Sequence, residues 1–139
     1  MSVPFHPQQG LVMVHAAVDG PSGSAVLQLA LDTGATGTMI NAGMLVALGY
    51  DPALAPERIQ VTTGSGVEFV PRLVPDKIVA LGQERLHFPV LAHTLPPSAG
   101  IDGLLGLDFI RGYRLTVDFR TGMLTLSCGN SGDTILISS

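Results

Sequence analysis

Ala30-Leu31-Asp32-Thr33-Gly34-Ala35-Thr36 sets one acidic side chain directly after an apolar run, residues 25–31, that predicts a β-strand. Gly34 favours a sharp turn, because glycine adopts positive φ angles without steric cost. The apolar run Thr38-Met39-Ile40 follows at once, so the Asp32 carboxylate is expected in a loop between two hydrophobic strands. A charge there is costly unless it is hydrogen-bonded or used in chemistry. Asp32 is therefore the first candidate for a catalytic residue, as one half of a pair of carboxylates.

The composition points to one domain that associates with itself. The chain has 139 residues, enough for one hydrophobic core, and we expect a single domain over residues 1–139. Only 13% of the residues are charged, against about a quarter in an ordinary soluble domain. A surface so poor in charge favours burial against a second copy of the chain. A net charge of −4 with 5% aromatic residues disfavours a nucleic-acid ligand.

No signal for export, a membrane or a metal is visible in the sequence. The single cysteine, Cys128, excludes an internal disulfide and fits a reducing compartment. Residues 1–9 lack the pattern of a signal peptide, and the uncharged stretch 33–50 is too polar for a membrane span, so a cytoplasmic location is predicted. The histidines lack metal-ligand spacing and are interpreted as surface or satisfied core residues: His6, His15, His87 and His93.

Short strands with frequent turn signals and little helix predict an all-β, barrel-like domain. Asn41 is predicted to cap a short helix that runs through Leu48 and stops at Gly49. The remaining predicted elements are hairpins over residues 10–31, 59–70, 77–92 (joined at Gly82-Gln83) and 113–127, an apolar segment over 101–110 that turns into a short helix, and a last strand over 134–137.

The two halves of the chain resemble each other faintly. Each contains a hairpin, then an Asp and a Gly at a turn, then an apolar run and a short helix. Asp32-Thr33-Gly34 in the first half corresponds to Asp102-Gly103-Leu104-Leu105-Gly106 in the second. The duplication alone assigns no function.

These landmarks together resemble the retropepsin-like aspartic proteases, in particular the bacterial and retrotransposon-derived branch. The resemblance rests on Asp32-Thr33-Gly34-Ala35, on Leu104-Leu105-Gly106 within the segment 101–110, and on their order around a glycine-tipped hairpin. It implies a closed β-barrel of the acid protease fold with one or two short helices, a core over about residues 10–127, and a C-terminal strand or tail over 128–139. It also implies an endopeptidase that needs no cofactor and works as a homodimer on an extended peptide.

The resemblance implies roles for individual residues. Asp32 would be the acid and base, one per subunit, with Thr33 bonding across the dimer and Gly34 bringing backbone N–H groups to the carboxylates. Leu104, Leu105 and Gly106 would pack under the active loop, with Ile101 and Leu104 near the substrate pockets. The mobile flap over the peptide would have its tip at Thr63, Gly64, Ser65 and Gly66. The chain termini, Val3-Pro4-Phe5 and Thr134 to Ile137, would build the dimer sheet.

Each of these interpretations has a plainer alternative. Asp32 is also compatible with an ordinary turn aspartate, and Gly64-Ser65-Gly66 with an ordinary hairpin turn. Asp102 and Asp108 are interpreted as structural, and Cys128 as inert. At the level of function, the alternatives are a retropepsin-fold module that only dimerises or binds peptides, and a protease that cuts only itself or one partner.

Thr36 departs from the retroviral pattern, which usually has an aspartate here that binds the substrate backbone. Thr36 cannot offer a carboxylate, so peptide binding is expected to be weaker or differently arranged.

A second departure predicts the pH of activity. Ala35 follows Asp-Thr-Gly and has no hydroxyl to donate to a carboxylate, so the pKa of the pair is expected to be higher than in relatives with Ser or Thr there. We expect activity to peak at roughly pH 5–6. A pH–rate profile measures this directly, and a peak below about pH 4 contradicts it.

Overall fold

The computed structural model describes residues 2–6, 10–64, 66–95 and 99–128. These residues form short strands and two short helices in the order β1 Ser2–Pro4, β2 Met13–Gly20, β3 Gly23–Leu31, β4 Met39–Asn41, α1 Ala42–Ala47, a 3₁₀ turn Pro52–Leu54, β5 Glu57–Thr63, β6 Gly66–Leu73, β7 Lys77–Ala80, β8 Gln83–Leu86, β9 Val90–His93, β10 Gly103–Leu105, α2 Leu107–Ile110, β11 Arg114–Asp118 and β12 Met123–Ser127. The predicted strand over 134–137 lies outside the described residues.

The strands form a curled sheet and a smaller second sheet. The larger, nine-stranded sheet has the order β5-β6-β9-β4-β10-β3-β2-β7-β8, and the three-stranded sheet has the order β1-β12-β11. The prediction of an all-β acid protease fold with one or two short helices is confirmed. Among the described strands, β5 and β8 remain edges of the large sheet, so it forms a half-barrel where a closed ring was expected.

The first hairpin forms the centre of the core. β2 and β3 pair from Met13↔Ala30 to Gly20↔Gly23, so the strands run further than expected and only Pro21-Ser22 remains as the turn. Alternate residues face inwards because successive side chains of a strand point to opposite faces. The fully buried members of these two strands include Ala16, Val18, Leu27 and Leu29.

The predicted helix after the Asp32 loop is confirmed. Asn41 caps α1 by accepting a hydrogen bond from the Gly43 N–H at 3.1 Å. Gly49 follows the helix with φ +100°, and its N–H donates to the carbonyl of Val46 at 3.0 Å. These local signals fix both ends of the helix, and Leu45 buries it against the core.

The predicted strand over residues 85–92 is wrong, because two strands lie there in different parts of the sheet. β7 and β8 do form a hairpin, but its turn is Leu81-Gly82. His87, with φ +52°, ends that hairpin and redirects the chain. β9 then pairs with β4 and β6.

The first and last described strands pair with each other within one chain. β1 pairs antiparallel with β12, from Ser2↔Thr125 to Pro4↔Met123, and β12 pairs with β11. Phe5 packs edge-on against Phe119 with the ring centroids 5.4 Å apart. Among the described strands, β1 therefore lies at an edge of its sheet, which is the position that the predicted role of Val3-Pro4-Phe5 in a dimer requires.

The turn between β11 and β12 makes stability depend on pH. The backbone N–H groups of Thr121 and Arg120 donate to the Asp118 carboxylate and hold its pKa below the ordinary value of 3.8. Because the folded pKa is depressed, this stabilisation is present above the ordinary value and is lost as the pH falls through the folded one. We expect Asp118→Ala to lower the melting temperature at pH 7, and the gap to the wild type to narrow in acid.

Asp118→Asn is the control, since it keeps an oxygen acceptor but cannot ionise. Its loss at pH 7 should be smaller, and its gap to the wild type should narrow in acid by the same amount, because the group that titrates is the wild-type carboxylate in both comparisons. Thermal melts between about pH 2.5 and 7 test both variants, and a constant gap for Asp118→Ala would show that the charge contributes nothing.

Candidate active site

The Asp32 loop is held by the strand that arrives from the second half of the chain. β10 lies parallel to β3, with Leu31 opposite Leu105. Just beyond this pair, the Asp32 N–H donates to the carbonyl of Leu105 at 3.0 Å, and the Leu107 N–H donates to the carbonyl of Ala35 at 2.8 Å. The two turns therefore hold each other through their backbones, and the duplication seen in the sequence corresponds to real proximity.

The Asp32 carboxylate is half-buried and takes part in its own turn. The carboxylate Oδ1 accepts a hydrogen bond from the Gly34 N–H at 2.9 Å, and the backbone carbonyl of Asp32 accepts one from the Ala35 N–H at 3.1 Å. A Cβ added at Gly34 would lie 3.1 Å from Asp32 Oδ1, so a side chain there would press on the carboxylate. The turn orients the carboxyl group and donates to it from one side.

Two glycines of the second half allow this close approach. A Cβ at Gly103 would lie 2.1 Å from the carbonyl oxygen of Met39, and one at Gly106 would lie 2.7 Å from the carbonyl carbon of Gly37. Neither position has space for a side chain while the strands keep their present separation. Gly106 therefore belongs to the wall against which the Asp32 loop is packed.

A buried polar pair, Thr38 and Asp108, fastens the same region. Thr38 is fully buried, and both its N–H and its hydroxyl donate to the Asp108 carboxylate, at 3.0 and 2.7 Å. The hydroxyl also accepts a hydrogen bond from the Gly106 N–H at 3.1 Å. One threonine thus ties the segment after Asp32 to the first turn of α2.

An arginine holds the other side of α2. Arg85 Nη2 donates to the carbonyl of Phe109 at 2.7 Å, and its guanidinium stacks 4.8 Å from the centre of the Phe109 ring. Tyr113 and Phe88 pack against the same guanidinium, at 5.2 and 5.6 Å. α2 is short, and these contacts compensate for the little stability that a helix of this length has by itself.

A cleft of about 660 Å³ opens above the Asp32 carboxylate. Its floor is the Asp32 loop from residue 34 to 39, one wall is the first strand of the β5–β6 hairpin, and the other is the segment 88–91 that leads into β9. The described residues that line it are Asp32, Gly34, Ala35, Thr36, Gly37, Thr38, Met39, Ile59, Gln60, Val61, Thr62, Arg72, Phe88, Pro89, Val90, Leu91 and Asp108.

The β5–β6 hairpin projects away from the sheet. Its strands pair from Glu57↔Arg72 to Thr63↔Gly66, but β6 stays bonded to β9 only at Arg72 and Leu73. Beyond that point Glu68 Oε2 lies 3.0 Å from His93 Nε2, which bridges the gap. His93 Nδ1 is buried without a hydrogen-bond partner among the described residues, so the interpretation of His93 as satisfied is only half right.

The site residues predicted from sequence divide into two groups. Asp32, Gly34 and Ala35 line the cleft, whereas Thr33 is exposed and does not. Leu105 and Gly106 are buried beneath the loop, and Ile101 and Leu104 are half-buried outside the lining. At the hairpin tip, Gly64 and Gly66 are exposed and do not line the cleft, and Gly66 has φ +128°. Thr63 is the last residue of β5. Ser65 lies outside the described residues.

Sequence reasoning missed most of the cleft walls. Thr38 and Asp108 are 70 residues apart, so no local pattern joins them, although a threonine at the head of an apolar run was a signal of a buried polar contact. The sequence predicts residues 59–62 as a strand but does not indicate that they form a wall of the cleft. It predicts residues 88–91 in the wrong strand, and it contains no signal that Arg72 lines the cleft.

The described residues contain neither a metal-binding cluster nor a membrane-spanning helix. No group of three or more His, Cys, Asp or Glu side chains in the described ranges could hold a metal ion. None of the described helices is long and apolar enough to cross a membrane.

Comparison with known proteins identifies the family. The profile of a family described as Aspartyl protease matches residues 14–109, which include the Asp32 loop and Gly106. The chain belongs to this aspartyl protease family. No curated protein sequence matches the chain significantly.

Solved structures with the same fold are distant in sequence. A retropepsin-like aspartic protease from Rickettsia conorii superposes with a TM-score of 0.68 at 16% identity, over 91% of this chain and 88% of that one. The retroviral protease-like domain of Ddi1 from Leishmania major superposes with a TM-score of 0.55 at 15% identity, over 94% and 97% of the two chains. These likenesses establish the retropepsin-like fold.

The Thr38 hydroxyl should contribute strongly to stability. Thr38→Val keeps the shape of the side chain but leaves Gly106 N–H and one oxygen of Asp108 without a partner. We expect a loss of about 2–3 kcal/mol in the free energy of unfolding. Urea denaturation at a fixed protein concentration measures it.

Thr36→Val is the matched control, because the Thr36 side chain is exposed in the same loop. It should change stability by less than about 0.5 kcal/mol. Equal stability of Thr38→Val and Thr36→Val would mean that the buried pair does not hold the loop.

Proposed function

We propose that this protein is an aspartic endopeptidase that hydrolyses peptide bonds as a homodimer, with Asp32 of each copy as the catalytic residue. The observation that carries the proposal is the Asp32 carboxylate, half-buried and hydrogen-bonded to Gly34 N–H, on the floor of a cleft of about 660 Å³. Membership of the aspartyl protease family and the retropepsin-like fold support the same reaction.

The chemistry requires two carboxylates. One accepts a proton from water as the water attacks the peptide carbonyl, and the other protonates the departing nitrogen. Two carboxyl groups held close together share one proton, because both cannot ionise at the same site. A single Asp32 cannot fill both roles at once.

The described residues that line the cleft of one chain offer no second carboxylate for this task. The other acidic residue among the described lining residues is Asp108, and both of its oxygens accept hydrogen bonds from Thr38. A twofold dimer supplies the missing group, because it brings Asp32 of each copy to the symmetry axis. Thr33, exposed beside Asp32, is proposed to fix the two loops to each other across that axis.

The substrate is proposed to lie extended in the cleft and to pair through its backbone, as in strand addition. The tip of the β5–β6 hairpin, Thr63 to Gly66, is proposed to close over the peptide and exclude water. Ile101 and Leu104 are proposed to contribute to side-chain pockets, with Leu105 and Gly106 supporting the loop from below. No cofactor enters this reaction.

The catalytic domain is proposed to be the region 10–127, with residues 128–139 as a terminal strand or tail that joins the dimer. The position of Val3-Pro4-Phe5 at the edge of the three-stranded sheet supports a role of the chain ends in the dimer. A cytoplasmic location remains a prediction.

The second candidate is a retropepsin-fold module that dimerises or binds peptides without cutting them. Thr36 favours it, because this position lacks a carboxylate to grip the substrate backbone. A protease restricted to itself or to one partner is a third form of the same site, and general substrates would not reveal it.

Asp32→Asn should abolish cleavage without dissociating the dimer. The amide keeps an oxygen for the Gly34 N–H but cannot act as a general base. Digestion of an unfolded protein between about pH 4 and 7, together with sedimentation of both proteins, tests this. Activity should fall at least about a thousandfold, in line with the loss of an essential acid–base group.

Asp102→Asn is the matched control. Asp102 also precedes a glycine, but its Oδ2 accepts a hydrogen bond from the Gln28 N–H at 2.9 Å. The amide oxygen of Asn can accept the same bond. It should retain activity. An intact wild-type dimer that binds peptides and never cuts them would favour the module, and residual activity in Asp32→Asn would exclude Asp32 as the catalytic group.

A further inference from the structure

The charge of the cleft lining is uneven. Most lining residues are apolar or uncharged, and Asp32 and Asp108 supply negative charge at the floor. Arg72 is the one lysine or arginine among the described residues that line the cleft. A lone cation on the wall of a groove whose carboxylates lie at the floor distinguishes ligands by charge at one position.

Arg72 lies at the base of the β5–β6 hairpin and lines the cleft itself. It is opposite Glu57 in the hairpin. The lining residues of β5 are the four consecutive residues 59–62, so both faces of that strand border the cleft. Arg72 is therefore placed at the cleft by its own position in the lining.

Glu57 holds Arg72 in place but does not occupy all of its hydrogen-bond donors. Its Nη1 lies 2.6 Å from Glu57 Oε2, and the side chain is 38% exposed. A guanidinium has five N–H donors, so one contact leaves most of them for a ligand. Pairing with Glu57 also reduces the freedom that Arg72 would lose when it binds.

Sheet geometry gives the distance from Arg72 to the catalytic loop. A row of paired residues runs from Arg72 through Leu91, Met39 and Leu104 to Ala30, two residues before Asp32. Strands lie about 4.8 Å apart, so the path along the sheet is about 20 Å, which an extended peptide covers in about six residues. The curl of the sheet shortens the direct distance.

We propose that Arg72 selects peptides with a carboxylate within about six residues of the bond to be cut. The planar guanidinium fork fits a carboxylate, and such a contact is stronger than one between neutral groups. The inference rests on the proposed function, since it names the substrate class of that site. The carboxylate comes from an Asp or Glu side chain or from the peptide's own C-terminus.

Two features oppose this preference, and each is weaker than the direct contact of a carboxylate with Arg72. The net charge of −4 repels acidic peptides at long range, but salt screens it beyond about 8 Å at physiological ionic strength. Glu57 competes for Arg72, but the pair is exposed at 38% and 55%, and exposed pairs contribute little. Local contact therefore decides the preference.

The test starts from one peptide that the wild type cuts, with both ends blocked. A single Glu is moved through six positions on each side of the cut, and each peptide is compared with its Gln counterpart. A further peptide, without charged side chains but with a free C-terminal carboxylate, tests whether the C-terminus supplies the carboxylate. At one position Glu should raise kcat/KM about fivefold over Gln, and the gain should shrink in high salt.

Three variants assign the effect to one side chain. Arg72→Glu should reverse the preference toward Lys at the same position, and Glu57→Gln should strengthen the preference for Glu. Arg58→Glu is the matched control: it lies in the same hairpin and makes the same change in charge, but it does not line the cleft. It should leave the preference unchanged.

A binding measurement tests the inference separately from the proposed function. Fluorescence anisotropy of the same peptides on Asp32→Asn measures charge preference without cleavage. Arg72-dependent binding of Glu peptides by a protein that never cuts would support the inference and overturn the endopeptidase. Cleavage with equal rates for Glu and Gln at every position, or a preference that survives Arg72→Glu, would overturn the inference alone. A protein that neither cuts nor binds would overturn both.

Discussion

The backbone contact between two turns far apart in sequence is the constraint on which the site depends. Asp32 N–H bonds to the carbonyl of Leu105, and Leu107 N–H bonds to the carbonyl of Ala35. Backbone bonds of this kind need close approach, so the second half must have glycine where a Cβ would meet the first half. The carboxylate is thereby fixed on a rigid sheet, with the cleft open above it.

What could be predicted from sequence was local. The strand before Asp32, the Asn41 cap and the Gly49 stop each depend on neighbouring residues, and all three are present. The fold followed from the resemblance of a few ordered motifs, which is why the acid protease fold was expected before any strand pairing was known. The closure of the barrel was overestimated, because edges depend on pairing that motifs do not encode.

What could not be predicted was the set of long-range contacts. The partner of Thr38 is 70 residues away, and its burial in the core follows only once β10 lies beside β4. The chain from residue 85 to 92 reads as one apolar strand, and only the turn at His87 separates its two halves. Arg72 reaches the cleft wall because β6 pairs with β9. The sequence does not predict this pairing, so it does not place the charge of Arg72 in the cleft.

The central claim is that one active site needs Asp32 from two copies. The most direct measurement mixes wild-type chains with Asp32→Asn chains at constant total concentration, lets the subunits exchange, and follows cleavage against the wild-type fraction. If both carboxylates are required, activity follows the square of that fraction, so an equal mixture has about one quarter of full activity. A linear dependence, with about half the activity in the equal mixture, would show that each chain works alone and would contradict the account.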